Sequence, residues 1–211
     1  IQCHKLLENI YVKETVQKLH FNFDDSTERH INDFLGIDST SKPIIVGIAP
    51  GSGEKETHKR LPIQDYVWIS KRLLEKYPDL IFIICGSKSE MGMCEDLTKA
   101  IQGTLVINTA GIMSIIETAA LIDKTDVMMG SDNGLMHIAA ATQTPNVTCF
   151  GPTNPQITGP YSNLSKKIST TIGCAPCYSR TFYQGCGNPI CMSMIPKANM
   201  LSELTNLIAK V

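Results

Sequence analysis

The sequence predicts an α/β fold, a parallel sheet with helices on both faces. Three observations predict it. From residue 44 onward, short runs rich in Ile and Val alternate with longer helical patterns. Those runs are apolar throughout, as strands buried beneath two helix layers require. In addition, Val127-Met128-Met129-Gly130 breaks into the polar turn Ser131-Asp132-Asn133-Gly134. An apolar helical segment follows, and after Thr144-Pro145 a second apolar run, so the whole reads as strand, turn, helix, strand.

In chain order, residues 3 to 20 read as an amphipathic helix and residues 26 to 35 as a shorter one capped by Ser26, with Glu28 and Arg29 in its first turns. The first residue is Ile1 rather than Met, so an upstream portion is expected to be missing. Strands are expected from Ile44 to Ala49, Leu80 to Cys85, Leu105 to Ile107, Val127 to Met129 and Val147 to Phe150. Helices are expected from Ile63 to Tyr77, Glu90 to Ile101, Ser114 to Ile122 and Gly134 to Thr142. Ligands of such sheets sit at the carboxyl ends of the strands, where the next helix starts.

Composition narrows the function. Nineteen Lys and Arg against twenty Asp and Glu leave a net charge of −1 in 211 residues, so no broad basic surface for nucleic acid is expected. No apolar run approaches the ~18 to 20 residues of a spanning helix, and a cytoplasmic location is expected. Of eight cysteines, Cys3, Cys85, Cys94 and Cys149 are scattered through apolar or helical segments, where a thiol packs as a small hydrophobe. Cys174, Cys177, Cys186 and Cys191 cluster with a spacing that four zinc-bound thiolates could use. Loop packing or redox-labile thiols are the preferred reading, and no metal is assigned.

The turn at residues 131 to 134 suits an anion. Ser131 or Asp132 can cap the following helix, N–H groups around Gly134 and Leu135 point out of its positive end, and Gly134 has no side chain to block a phosphate. The loop after the first strand, Pro50-Gly51-Ser52-Gly53, offers close backbone approach, with Lys55 and Lys59 supplying charge, a solvated surface turn being the alternative. His137 lies on an apolar helix, where a packed imidazole is the alternative to a ligand contact.

The string from Ser131 to Ala141, followed by Thr144-Pro145 and by Cys149-Phe150-Gly151-Pro152-Thr153-Asn154-Pro155, resembles the donor-binding signature of glycosyltransferase family 9, the bacterial lipopolysaccharide heptosyltransferases. The resemblance covers roughly residues 44 to 208. It implies two Rossmann-like domains in the GT-B arrangement. Residues 1 to 36 would then be linker helices left from a mostly absent N-terminal acceptor domain, and residues 37 to 211 the nucleotide-sugar-binding domain. The implied donor resembles ADP-heptose and the implied acceptor is a lipopolysaccharide core or related glycolipid. Any peripheral membrane contact would fall to the absent domain, and no cofactor is implied.

Residue by residue, the resemblance places Gly51 and Ser52 at the diphosphate and matches Lys59 to a phosphate-binding lysine before the Leu61-Pro62 pair. Leu61 stands where Trp is usual, and the longer loop makes Lys55 a rival. Glu90, ending Gly86-Ser87-Lys88-Ser89-Glu90, would take the ribose diol, since a carboxylate accepts both hydroxyl protons. The alternative is that Ser87 or Ser89 caps the helix and Glu90 complements its dipole. Met113 would lie against adenine, or else be a plain core or helix-start residue. Asp132, Gly134, Leu135 and His137 would contact diphosphate and sugar, with Asn133 where the family more often has Thr. Lys59 and Asp132 are the expected catalytic residues, the general base being an Asp of the acceptor domain. A nucleotide-sugar epimerase and a zinc-stabilised binding module are the alternatives.

Overall fold

The computed structural model describes residues 19–36, 43–178, 186 and 188–210. Cys3 and all but the last two residues of the helix expected at 3 to 20 lie outside the described residues. Helix α1 spans Asp25–Leu35, and its N-cap is Asp24, not Ser26. Asp24 is extended, and its carboxylate accepts the Thr27 N–H at 2.8 Å and the Ser26 hydroxyl. An acid there also suits the helix dipole.

The remaining elements alternate. They are β1 Ile45–Ala49, α2 Ile63–Lys76, β2 Ile81–Ile84, α3 Met91–Ala100, β3 Val106–Asn108, α4 Ile115–Asp123, β4 Val127–Ser131, α5 Gly134–Ala141 and β5 Asn146–Phe150. Tight 3-10 turns at Glu54–Lys59 and Lys88–Glu90 precede α2 and α3. Beyond β5, the short helix α6 (Pro155–Thr158) leads to β6 (Ser165–Ser169), and α7 (Ile190–Ser193) leads to α8 (Lys197–Ile208). These last four elements have no counterpart in the sequence reading. Strand β6, Ser-Lys-Lys-Ile-Ser, is a polar edge strand without an apolar pattern. Helix α8 does carry one, with Met200, Leu204, Leu207 and Ile208 buried on one face.

The six strands are all parallel in the order β3-β2-β1-β4-β5-β6. Alternate strand residues feed two cores. Val46, Ile48, Phe82, Ile84, Val127 and Met129 pack against α2, α3 and α8, through Tyr66, Ile69, Leu73, Leu97 and Leu204. On the other face, Ile45, Ile83 and Cys85 meet α1 and α4, while Ala49 and Met128 meet α5. Each fully buried Ile, Leu or Phe contributes roughly 1.5 to 3 kcal/mol. Among the described residues, no helix is long and apolar enough to cross a membrane.

Strand β1 is where the order reverses. It pairs with β2 on one side and with β4 on the other, Ala49 lying opposite Gly130. The helix after β1 covers one face and the helix after β4 the opposite face, so the two loops diverge and leave a crevice at the carboxyl ends of the strands.

Candidate functional site

A cavity of about 420 Å³ occupies this crevice. Gly51, Ser52, Gly53 and Glu56 line it from the loop after β1, and Cys85, Gly86, Ser87 and Glu90 from the turn after β2. Met113 and Ile115 follow β3, and Asn133, Gly134, Leu135 and Ile138 follow β4. Of the sequence-predicted residues, the fold thus brings together Gly51, Ser52, Glu90, Met113, Asn133, Gly134 and Leu135. It leaves Lys59, Asp132 and His137 outside that lining.

Asn133, not Ser131 or Asp132, caps α5. Its Oδ1 accepts the Leu135 N–H at 2.9 Å and the Met136 N–H at 3.4 Å, while its Nδ2 donates to the carbonyls of Gly51 at 2.7 Å and Ala49 at 3.1 Å. Ser131 cannot cap because it ends β4, where its hydroxyl accepts the Leu61 N–H. Asp132 is turned away to Thr158, whose hydroxyl it accepts at 3.1 Å. The Leu135 N–H is therefore spent inside the turn. The N–H of Gly134 remains at the helix start, and a Cβ built on Gly134 would meet nothing within 4 Å. The positive end of α5 is therefore open to the cavity at this residue.

Glu90 is 6% exposed and mainly a structural carboxylate. Its Oε2 accepts the N–H and hydroxyl of Ser87 at 2.9 Å each, completing a capping box, and its Oε1 accepts the Gly53 N–H at 2.9 Å. Burial pushes its pKa up, but these hydrogen bonds outweigh burial and hold it below the ordinary glutamate value. The backbone N–H of Ser52 also bears on this carboxylate, so its acceptor positions are largely taken by the protein itself. Ser87 is the capping serine, as one sequence alternative had it. Glu90 also dictates Gly51, since a Cβ there would lie 1.9 Å from its Oε1.

The loop after β1 is held by charges. Arg60 donates to Ser52 Oγ at 3.3 Å and to the Gly53 carbonyl at 3.0 Å, and stands 3.8 Å from Glu90. Lys59 is buried, with its Nζ 2.8 Å from Glu56 Oε1, 3.9 Å from Asp132 Oδ2 and 5.1 Å above the ring of Tyr178. Lys55, its rival, is exposed. The Tyr178 hydroxyl donates to Glu56 Oε1 at 2.9 Å. Burial opposes ionisation of Glu56, yet the hydrogen bonds from Lys59 and Tyr178 and the Lys59 charge lower its pKa. His58, stacked on Tyr178, is held below its ordinary value by burial and by Lys59. His137 is exposed on α5. Leu61, in the place of the usual Trp, is core.

The profile of glycosyltransferase family 9 (heptosyltransferase) matches residues 4–187. The chain belongs to glycosyltransferase family 9. Lipooligosaccharide heptosyltransferase 2 of Haemophilus influenzae is 33% identical to it over 133 residues, 61% of this chain and 37% of that protein. Lipopolysaccharide heptosyltransferase 2 of Salmonella typhimurium is 31% identical over 139 residues, 64% and 38% of the two. The matched stretch is thus little more than a third of the length of these relatives. Among solved structures, E. coli ADP-heptose lps heptosyltransferase II has a TM-score of 0.70 at 22% identity, covering 90% of this chain and 54% of its own. A family 9 glycosyl transferase from Veillonella parvula reaches 0.76 at 19% identity, covering 98% and 59%. At these identities the likeness shows the fold.

For this family 9 chain, sequence reasoning missed Glu56, Arg60, Ile115, Ile138 and Tyr178. Glu56 had a signal, because it precedes Lys59 by three residues, a spacing at which opposite charges can pair. Tyr178 had none, since its partner is 122 residues away. Cys174, Cys177, Cys186 and Cys191 line a separate cavity of about 30 Å³ beside Pro152, and among the described residues no three His, Cys, Asp or Glu are grouped to hold a metal. Cys85, Cys94 and Cys149 are buried, and burial pushes their thiols up to about 11, 12 and 12.

Proposed function

We propose that this chain is the nucleotide-sugar side of a GT-B glycosyltransferase that moves a heptose from ADP-heptose to a lipopolysaccharide core sugar. One observation carries the reading: in a family 9 chain, the cavity at the reversal point of the sheet is open at the N-terminus of α5, beside the side-chain-free Gly134. Relatives named as lipopolysaccharide heptosyltransferases support the acceptor class, and a solved neighbour named for ADP-heptose supports the donor.

In the reaction, an acceptor hydroxyl attacks the anomeric carbon while the bond from that carbon to the diphosphate oxygen breaks. The electron pair leaves on the diphosphate, and a base, expected on the acceptor domain, takes the hydroxyl proton. The Gly134 N–H, the dipole of α5 and the Lys59 ammonium stabilise the leaving charge. Met113 and Ile115 give adenine an apolar wall, and Glu90, which also lines the cavity, meets the ribose. Asp132 orders the turn or accepts sugar hydroxyls. Residues 1 to 36 are read as linker and 37 to 211 as this donor domain, with no metal required at the four cysteines.

Calorimetry of the 211-residue chain with ADP, UDP and GDP tests the donor site, and a transfer assay with ADP-heptose and core acceptor tests the division of labour. The expected result is ADP binding in preference to the other two, without turnover. No ADP binding overturns the donor reading, and robust transfer by this chain overturns the assignment of the base to another domain.

A further inference from the structure

Resting on the diphosphate reading above, we infer that Glu56 competes with the donor's diphosphate for the Lys59 ammonium, and that Tyr178 sets the strength of that competition. The observation is an inversion of charge at the wall. Glu56 is among the residues that line the cavity, and its carboxylate is bonded at 2.8 Å to Lys59, which is not among them. Asp132 is 3.9 Å from the same ammonium. Two carboxylates therefore share one buried cation, and the Arg60 guanidinium beside them faces Glu90. A diphosphate at the start of α5 brings further negative charge up to Glu56. Like charges lining one cavity repel, so the ammonium must be shared with the phosphate or pass to it.

Tyr178 favours the Glu56 side. Its hydroxyl donates to Glu56 Oε1, and its ring lies under the ammonium, 5.1 Å from Nζ. Tyr178 is itself anchored by its N–H to the Pro152 carbonyl at 2.9 Å, on the loop after β5. Glu56 and Tyr178 are thus positioning residues acting through Lys59. Their consequence is a site that releases the diphosphate more readily, because the cation has a partner to return to.

The test is ADP titration by calorimetry of wild type, Glu56→Gln, Tyr178→Phe and Lys59→Ala, with the Glu56→Gln and Lys59→Ala changes also combined. Glu56→Gln keeps an acceptor for Tyr178 but removes the charge, and it is expected to tighten ADP roughly three- to tenfold. Tyr178→Phe should tighten it about twofold. In the Lys59→Ala background the Glu56→Gln gain should be smaller than in wild type, because no cation remains to be released and only the relief of direct repulsion is left. Thermal melting reports folding, and Glu56→Ala should shift ADP affinity in the same direction if the amide of Gln misfolds the turn. A structural role for Glu56 would weaken binding instead. Weaker or unchanged affinity in both Glu56 variants overturns the competition, as does an equal gain with and without Lys59. Wild type that fails to bind ADP overturns the donor reading and this proposal together, so the two failures are distinguishable.

Discussion

The two loops that face each other across the crevice are held by different chemistry. The turn after β4 is fixed by one neutral amide, Asn133, whose bonds reach two helix N–H groups, the carbonyl that ends β1 and one carbonyl of the loop after it. The loop after β1 is held by charges, with Arg60 at Glu90 and Lys59 between Glu56 and Asp132. A neutral network responds little to salt or to an arriving anion, whereas ion pairs are screened by salt and can exchange partners. One side of the site is a frame and the other is responsive.

The sharpest way to break that comparison is to remove the frame. Asn133→Ala loses the cap and leaves the Ala49 and Gly51 carbonyls without their donor, which should cost roughly 2 to 4 kcal/mol in denaturant unfolding. Asn133→Thr keeps a capping oxygen and should cost about half as much. A loss below about 1 kcal/mol for Asn133→Ala would mean that the frame is held elsewhere.

On the responsive side, Lys59→Ala should weaken ADP binding about tenfold, near 1.4 kcal/mol, while exposed Lys55→Ala should cost less than about 1 kcal/mol. The wild-type affinity should fall with ionic strength, and more shallowly once Lys59 is gone. Equal losses at the two lysines would move the phosphate contact to Lys55.

The smallest effect is in acid. Glu90 and Glu56 have folded pKa values below the ordinary 4.5, so the stability they contribute is complete above that value. It is lost as pH falls below about 4.5 through the folded values, at no more than one proton taken up per glutamate. Glu90→Gln should flatten that part of the acid unfolding curve. An identical acid limb in the variant would show that Glu90 contributes nothing there.

Several features of the site were legible because they are local. The glycine at 134, a serine cap at 87 or 89 beside Glu90, and the helix after residue 133 all follow from contacts within a few residues. The capping residue itself was misassigned because Ser131, Asp132 and Asn133 are all good caps in isolation. What distinguishes them is that Ser131 is recruited by Leu61 and Asp132 faces Thr158 and Lys59. Likewise, Gly51 reads as a phosphate-loop glycine, but the group that its missing side chain admits is the Glu90 carboxylate.

The sequence by itself determined the alternation of strands and helices, the two-sided burial of the sheet and the anion-suited turn. Each of these rests on apolar periodicity or on contacts three to four residues apart. The tertiary structure decided the strand order, and with it the position of the crevice between β1 and β4. It also decided which charges meet. Glu90 reaches Gly53 across 37 residues, Asn133 reaches Gly51 across 82, and Tyr178 reaches Glu56 across 122. Such contacts exist only once the parallel crossovers have closed, and until then nothing in the neighbouring residues marks one partner over another.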